Sequence, residues 1–414
     1  MRFDTIVLGA GIIGVSTALH LQARGRSVCL LDRSEPGEGT SFGNAGLIER
    51  SSVIPYSFPR KLSDVAKYAL NRSSAMRYDP LYLPRIAPWL FRYWRESSPK
   101  RLAIAAKAML PLVEASVTEH DALVEQAGCA DLIRERGWIE TYRSQPAFEN
   151  AMAELREIEP YGLRFEVLDK EKFHVLEPNL GDTVLGGIHW LDPKTVTDPA
   201  ALVKAYAGLF EARQGKFANG DAASLRQEGN AWTVETADGP VSAKDVVVAL
   251  GPQSSLIFQR LGYRIPLAIK RGHHMHYAMK EGAELGHSLV DAQAGYVLSP
   301  MKRGVRLTTG IEFAPPAAPA NTIQLDRAEP FARQILPLGK RLDEKPWLGL
   351  RPCLPDMRPV IGHAPRHDGL WFNFGHAHHG LTLGPASGRL LAELMTGEEP
   401  FVDPAPYSAG RFAG

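Results

Sequence analysis

The chain has 414 residues, 44% of them hydrophobic and 22% charged, which is ordinary globular material too long for one core and points to two domains. A net charge of +1 lacks the basic excess that a phosphate-backbone partner requires, so a nucleic-acid role is excluded. The three scattered cysteines, Cys29, Cys129 and Cys353, form neither a disulfide framework nor a thiolate metal cage and suit a reducing cytoplasm. No uninterrupted run of about 18 apolar residues suggests a membrane span, and a strand that begins at Phe3 leaves no room for a leader peptide.

In chain order, Thr5 to Leu8 reads as a buried strand, Gly9 to Gly14 as a tight turn, the stretch to Arg24 as a helix stopped by Gly25, and Ser27 to Leu31 as a second strand. This is a βαβ unit. Gly9-Ala10-Gly11-Ile12-Ile13-Gly14 fits G-x-G-x-x-G: Gly9 permits the turn, Gly11 admits a pyrophosphate to the backbone, and Gly14 allows close helix-to-strand packing. The helix amides of Ile12 and Ile13 then face phosphate. Asp32 stands 18 residues after Gly14, where a carboxylate can accept from a ribose hydroxyl, with Arg33 beside it. The spacing predicts a dinucleotide site, and it does not separate NAD from FAD.

Gly39 to Gly46 is small and hydroxyl-rich, able to pass beneath a flat ring and offer Thr40 and Ser41 to a cofactor. After Pro55 aromatic and basic residues mix, with Trp89, Phe91, Tyr93 and Trp94 among Arg85, Arg92 and Arg95; packing within a second domain is favoured over docking on a membrane surface. A long Ala- and Leu-rich helix begins near Lys100. Asp238-Gly239 supplies a hairpin turn, and Val246 to Gly251, including Ala249, reads as a buried strand returning to the first sheet. Ile269 to Glu312 is strand-rich, Pro315 to Pro319 a loop, and Pro385 to Met395 a helix.

Thr40-Ser41-Phe42-Gly43-Asn44-Ala45-Gly46 resembles the T-S-x-x-N-A-G segment of the bacterial D-amino-acid dehydrogenase family, part of the wider D-amino-acid oxidase and glycine oxidase superfamily. Tyr296 to Phe313 is similar to that family's substrate-domain strands. Gly349-Leu350-Arg351-Pro352 with Pro355-Asp356, Pro359 and Ile361-Gly362 resembles its G-L-R-P-x-x-P-D-x-x-P-x-I-G signature, and Gly375-His376, Gly380-Leu381-Thr382 and Gly388 its final loop and helix. The matches span nearly the whole chain in order, while residues 55 to 195 carry little motif.

The resemblance implies an α/β fold, with a Rossmann-type FAD-binding domain (1–85, 195–262 and 345–414) interleaved with an α+β substrate domain (86–194 and 263–344) that holds a mainly antiparallel sheet. It implies non-covalent FAD, touched by the fingerprint, Asp32, Arg33, Thr40, Ser41, Asn44, Ala45, Gly46, Leu47, Ala249, Gly251, Gly349, Gly375, His376, Gly380, Leu381 and Thr382. Arg351 is expected to hold a substrate carboxylate, with Tyr296, His274 (or His273), His378 and His379 around it. Oxidation of the C–N bond of a small D-amino acid or cyclic D-imino acid follows, by hydride transfer from Cα to flavin N5, with no catalytic side chain required and a quinone or oxygen as acceptor. Where glycine oxidases carry a second arginine, this chain has Ala377-His378-His379, which weakens a glycine-like substrate. A glycine- or sarcosine-type oxidase and a non-catalytic dinucleotide-binding subunit are the alternatives. Nine of the 13 histidines follow residue 272; His274 and His276 at i, i+2 would share a strand face, but no acidic or cysteine partner recurs at ligand spacing and no metal is expected.

Overall fold

A computed structural model describes residues 1–412, apart from the side chains of residues 62–64, 67 and 157. The βαβ opening is present as strand Arg2–Leu8, helix Ile12–Gln22 and strand Val28–Asp32. Five strands run parallel in the spatial order Lys216–Glu228, Val28–Asp32, Arg2–Leu8, Val241–Val248 and Leu370–Phe374, with Val360–His363 antiparallel at the edge. Ala231–Thr236 bridges Lys216–Glu228 and Val241–Val248 as an antiparallel strand. Strands from three separated stretches of chain therefore build one sheet. Its middle is apolar on both faces, as a helix-covered parallel sheet requires.

A second sheet of 11 strands is mainly antiparallel and centres on Ala268–Met279, which pairs with Gly304–Thr308, Ile311–Phe313, Leu338–Arg341 and Trp347–Cys353. Its period-2 alternation sorts function from packing. Met275 and Tyr277 point to the helix Ile323–Ile335 and join Leu325, Ala328 and Ala332 in an apolar core. Gly272, His274 and His276 take the opposite face. Two segments cross the sequence-based boundaries: Met76–Tyr78 and Trp347–Cys353 both pair within this second sheet. The helix Pro99–Ala127 also packs with the first domain, against Gly380–Thr396 and Pro199–Ala212.

The first and last helices touch along small residues. A Cβ on Gly384 would sit 2.7 Å from Ile12 Cγ1, and one on Gly388 would sit 2.9 Å from Ser16 C and Thr17 N, which are backbone and cannot swing away. This approach brings Gly380 beside the glycine turn at the mouth of the parallel sheet. Gly388→Ala is expected to overpack that contact and destabilise the fold by about 1–3 kcal/mol, read as a lower urea midpoint; an unchanged midpoint would show that the two helices are free to separate.

Candidate active site and cofactor cradle

The glycine turn is built as its spacing predicts. Gly9 has φ +106°, and a Cβ there would lie 2.5 Å from Ala249 O; a Cβ on Gly14 would lie 1.7 Å from Gly9 O. Helix Ile12–Gln22 begins beside the carboxyl end of strand Arg2–Leu8, so its dipole and first amides open onto one crevice. Asp32 accepts from Ala10 N (2.8 Å) and Ser34 N (3.1 Å), which fixes the carboxylate at that crevice with lone pairs to spare. Ile12 N is engaged by Ser41 Oγ at 3.1 Å, so this fingerprint amide also anchors the loop that follows. Arg33 is exposed, held through its carbonyl by Asn219; the strand expected to run to Gly251 ends at Val248, so Ala249 and Gly251, which has φ +54°, lie just beyond it.

The loop of residues 39–46 is clamped by the second sheet. Thr40 Oγ1 donates to Leu350 O at 3.1 Å, Ser299 Oγ to Ala45 O at 2.7 Å, and Asn44 Oδ1 accepts from Gly46 N at 2.8 Å. Arg306 donates to Asn44 O (2.5 Å) and Phe42 O (3.3 Å), and its Nε meets His276 Nε2 at 3.1 Å; His276 Nδ1 is 2.8 Å from Asp343. Burial pushes the Arg306 guanidinium down to about 10. In the sequence Arg306 is one residue of the Tyr296 to Phe313 stretch without a role of its own; the role shows in the meeting of Asn44 and residue 306.

The start of helix Gly380–Thr396 closes the site. Thr382 Oγ1 donates to Leu47 O (3.2 Å) and accepts from Glu49 N (3.1 Å), while His120 Nε2 meets Leu381 O at 2.8 Å. His376, His378 and His379 each carry an Nε2 with no protein partner. Burial depresses His376 to about 3 and His379 to about 4, and holds His378 far below its usual value, so all three are neutral imidazoles near pH 7. Gly375 has φ +88° in the turn before them.

Arg351 lies against the strand face beside this helix start. A Cβ on Gly272 would come 2.4 Å from Arg351 Nη2, so the guanidinium rests on bare backbone. It donates to Gly310 O (2.9 Å) and Thr309 O (3.1 Å), with no carboxylate partner among the described residues. Tyr56 stands nearby, 64% exposed, its ring 4.6 Å from that of His378. Tyr56 was missed in sequence because its strap, residues 50–60, has no periodicity and no motif.

Three expected substrate contacts are corrected. Tyr296 is 1% exposed and packs with Leu298, Met275 and Leu307 toward helix Ile323–Ile335, since strand alternation turns it away from the Arg351 face. His273 likewise faces away, accepting from Asn321 N at 3.4 Å near Glu312. His274 is on the cavity side but sealed, stacked on Trp347 at 4.8 Å with Nδ1 3.3 Å from Gly43 O. It supports the cofactor loop. Gly349 is required because a Cβ would lie 2.5 Å from that same Trp347 ring.

Glu49 is 8% exposed, and burial, then repulsion from Glu140, raises its carboxyl from 4.5 to about 7. Between those values the folded state keeps a proton that the unfolded chain has lost, so this group makes stability fall as pH rises from 4.5 to about 7. Glu49→Gln is expected to gain thermal stability over the parent at pH 8 relative to pH 5. A difference that does not change with pH would refute the buried-acid assignment.

The DAO family, described as FAD dependent oxidoreductase, matches residues 4–394. A D-amino-acid oxidase of Bradyrhizobium diazoefficiens is 31% identical, with 98% of each chain covered. A D-amino acid dehydrogenase of Chromohalobacter salexigens is 28% identical over 99% of this chain and 100% of its own. Among solved structures, glycine oxidase from Geobacillus kaustophilus superposes with TM-score 0.77 at 20% identity and full coverage of both chains. L-proline dehydrogenase from P. horikoshii does so with TM-score 0.76 at 17% identity, covering 100% of this chain and 98% of its own. The close-packed Gly9 and Gly14 and the orphaned His376 and His379 nitrogens fit FAD, and the full-length family match sets aside the non-catalytic alternative. The chain belongs to the DAO family of FAD-dependent oxidoreductases and is a flavoenzyme of amino-acid oxidation.

Proposed function

We propose that the protein oxidises the C–N bond of a D-amino acid, with cyclic D-imino acids such as D-proline or D-hydroxyproline in the same class. The observation that carries this reading is Arg351: a guanidinium bound only to carbonyls, beside the start of the last helix, suited to a substrate carboxylate. The D configuration rests on the names of the full-length relatives. Bound FAD supplies the acceptor that takes hydride from the substrate's Cα.

The chain's own part is orientation and electrostatics. Arg351 pairs with the carboxylate and fixes the direction of Cα. His378 Nε2, unpartnered and neutral, adds no positive charge to the site and can accept a hydrogen bond from the substrate nitrogen, which must be bound as the unprotonated amine to push electrons. Tyr56 covers that imidazole and narrows the way in for water. The first amides of helix Gly380–Thr396 present positive dipole to negative charge that builds up beside them.

Electrons leave to a quinone or to oxygen. No described helix is long and apolar enough to cross a membrane. Helix Leu83–Glu96 splits its aromatic residues: Trp89 and Tyr93 are packed, whereas Phe91 and Trp94 are exposed and stacked at 5.9 Å beside Arg92 and Arg95, with Arg60 over Trp94. We assign this patch to peripheral contact with a quinone-bearing membrane.

Anaerobic mixing of the holoprotein with D-, L-, N-methyl and cyclic amino acids should bleach the flavin with the D forms; bleaching by L forms alone would sink the reading. Arg351→Met is expected to raise KM about 100-fold or more while the bound flavin spectrum stays intact, and unchanged KM would remove Arg351 from the site. Cosedimentation with anionic vesicles should weaken in a Phe91→Ser, Trp94→Ser double variant; equal binding would dismiss the patch.

A further inference from the structure

Lys270 is 4% exposed, and no carboxylate reaches it among the described residues. Its Nζ lies 4.0 Å from the centroid of the Tyr93 ring and 5.4 Å from that of Trp89, and its hydrogen-bond acceptor is Met357 Sδ at 3.8 Å. Aromatic faces and a thioether recover only part of the hydration that a buried ammonium gives up. Three N–H donors thus lack an oxygen in the protein.

The position of this lysine is specific. Lys270 is the direct cross-strand partner of Arg351, so the two Cα atoms are roughly 4.5–5.5 Å apart and both side chains leave the same face of the sheet. They then diverge: Arg351 leans over Gly272 toward Thr309 and Gly310, and Lys270 turns toward Tyr93. Tyr93 OH donates to Tyr56 O at 2.7 Å, so the aromatic box under Lys270 also carries the strap over His378. The Arg351 and Lys270 charges both bear on His378, in keeping with the sheet face that the two cations share.

We propose that Lys270 is a second anion subsite beside Arg351, and that the preferred substrate is an amino acid bearing a second carboxylate. The inference rests on the reading in which Arg351 holds the α-carboxylate. The acids whose charges reach Tyr56 do not oppose it, because burial drives Glu49 and Glu140 toward their uncharged forms. Two diverging cations suit the two ends of one short dicarboxylate, whereas a monocarboxylate would leave Lys270 without an oxygen.

The test uses the holoprotein. Malonate and succinate should perturb the flavin spectrum and compete with D-alanine at about tenfold lower concentration than acetate, and D-aspartate or D-glutamate should exceed D-alanine in kcat/KM. In Lys270→Met that ratio should drop about 10- to 100-fold, and in Lys270→Arg it should be retained. Equal inhibition by malonate, succinate and acetate in the parent protein overturns the proposal, whether or not Lys270→Met folds. A dicarboxylate preference that survives in a flavin-loaded Lys270→Met also overturns it. If no D-amino acid bleaches the flavin, the failure belongs to the proposed function; if D-alanine bleaches it and dicarboxylates gain nothing, only the Lys270 subsite fails.

Discussion

Arg306 reaches from the second sheet into the loop of residues 39–46 and binds two of its backbone carbonyls, Phe42 O and Asn44 O. A guanidinium buried to this degree is tolerable only where oxygens and a polarised ring surround it. His276 supplies the ring, Asp343 orients it, and the loop supplies the oxygens. The dependence is mutual: without the loop the charge is stranded, and without the charge the loop has no reason to hold its carbonyls in one direction. Trp347 completes the clamp, its ring occupying the space that a Cβ on Gly43 or Gly349 would need. Cofactor cradle and substrate sheet are thereby one electrostatic and steric unit.

The cavity wall is marked by polar groups that the protein itself leaves short of partners. The Nε2 atoms of His376, His378 and His379 are orphaned, Arg351 has only carbonyls, and Lys270 has only sulfur and aromatic faces. Elsewhere the buried charges are paired: Arg271 sits 3.0 Å from Glu312 and donates to Pro315 O and Pro319 O, and Arg143 lies 3.0 Å from Asp291. Unpaired groups are expensive away from ligands, so three orphaned imidazole nitrogens and two cations without a carboxylate on adjoining segments mark a place suited to a polar ligand.

Legibility in the sequence followed the range of the interaction. The glycine turn could be read because its first and last glycines answer close backbone contacts, Gly9 with Ala249 and Gly14 with Gly9, that the spacing implies. The motif singles out Arg351, and its small, hydroxyl-bearing residues single out the Thr40–Gly46 loop. Tyr296 and His273 were misassigned because a motif names a strand but not which of its two faces meets the cavity, and one residue of phase reverses the answer. His274 had the right face and the wrong neighbour, since Trp347 covers it from 73 positions away.

What the amino-acid order determined by itself was the dinucleotide turn, the return of Val241–Val248 to the parallel sheet, and the chemical identity of the residues available for catalysis, all of which depend on local backbone geometry and hydrophobic period. Tertiary structure alone decided which of those residues share a space: Tyr56 over His378, Arg306 under Asn44, Lys270 beside Arg351. Each of these pairs joins segments far apart in the chain, and their meeting is set by sheet register and helix packing, which no short stretch of sequence encodes.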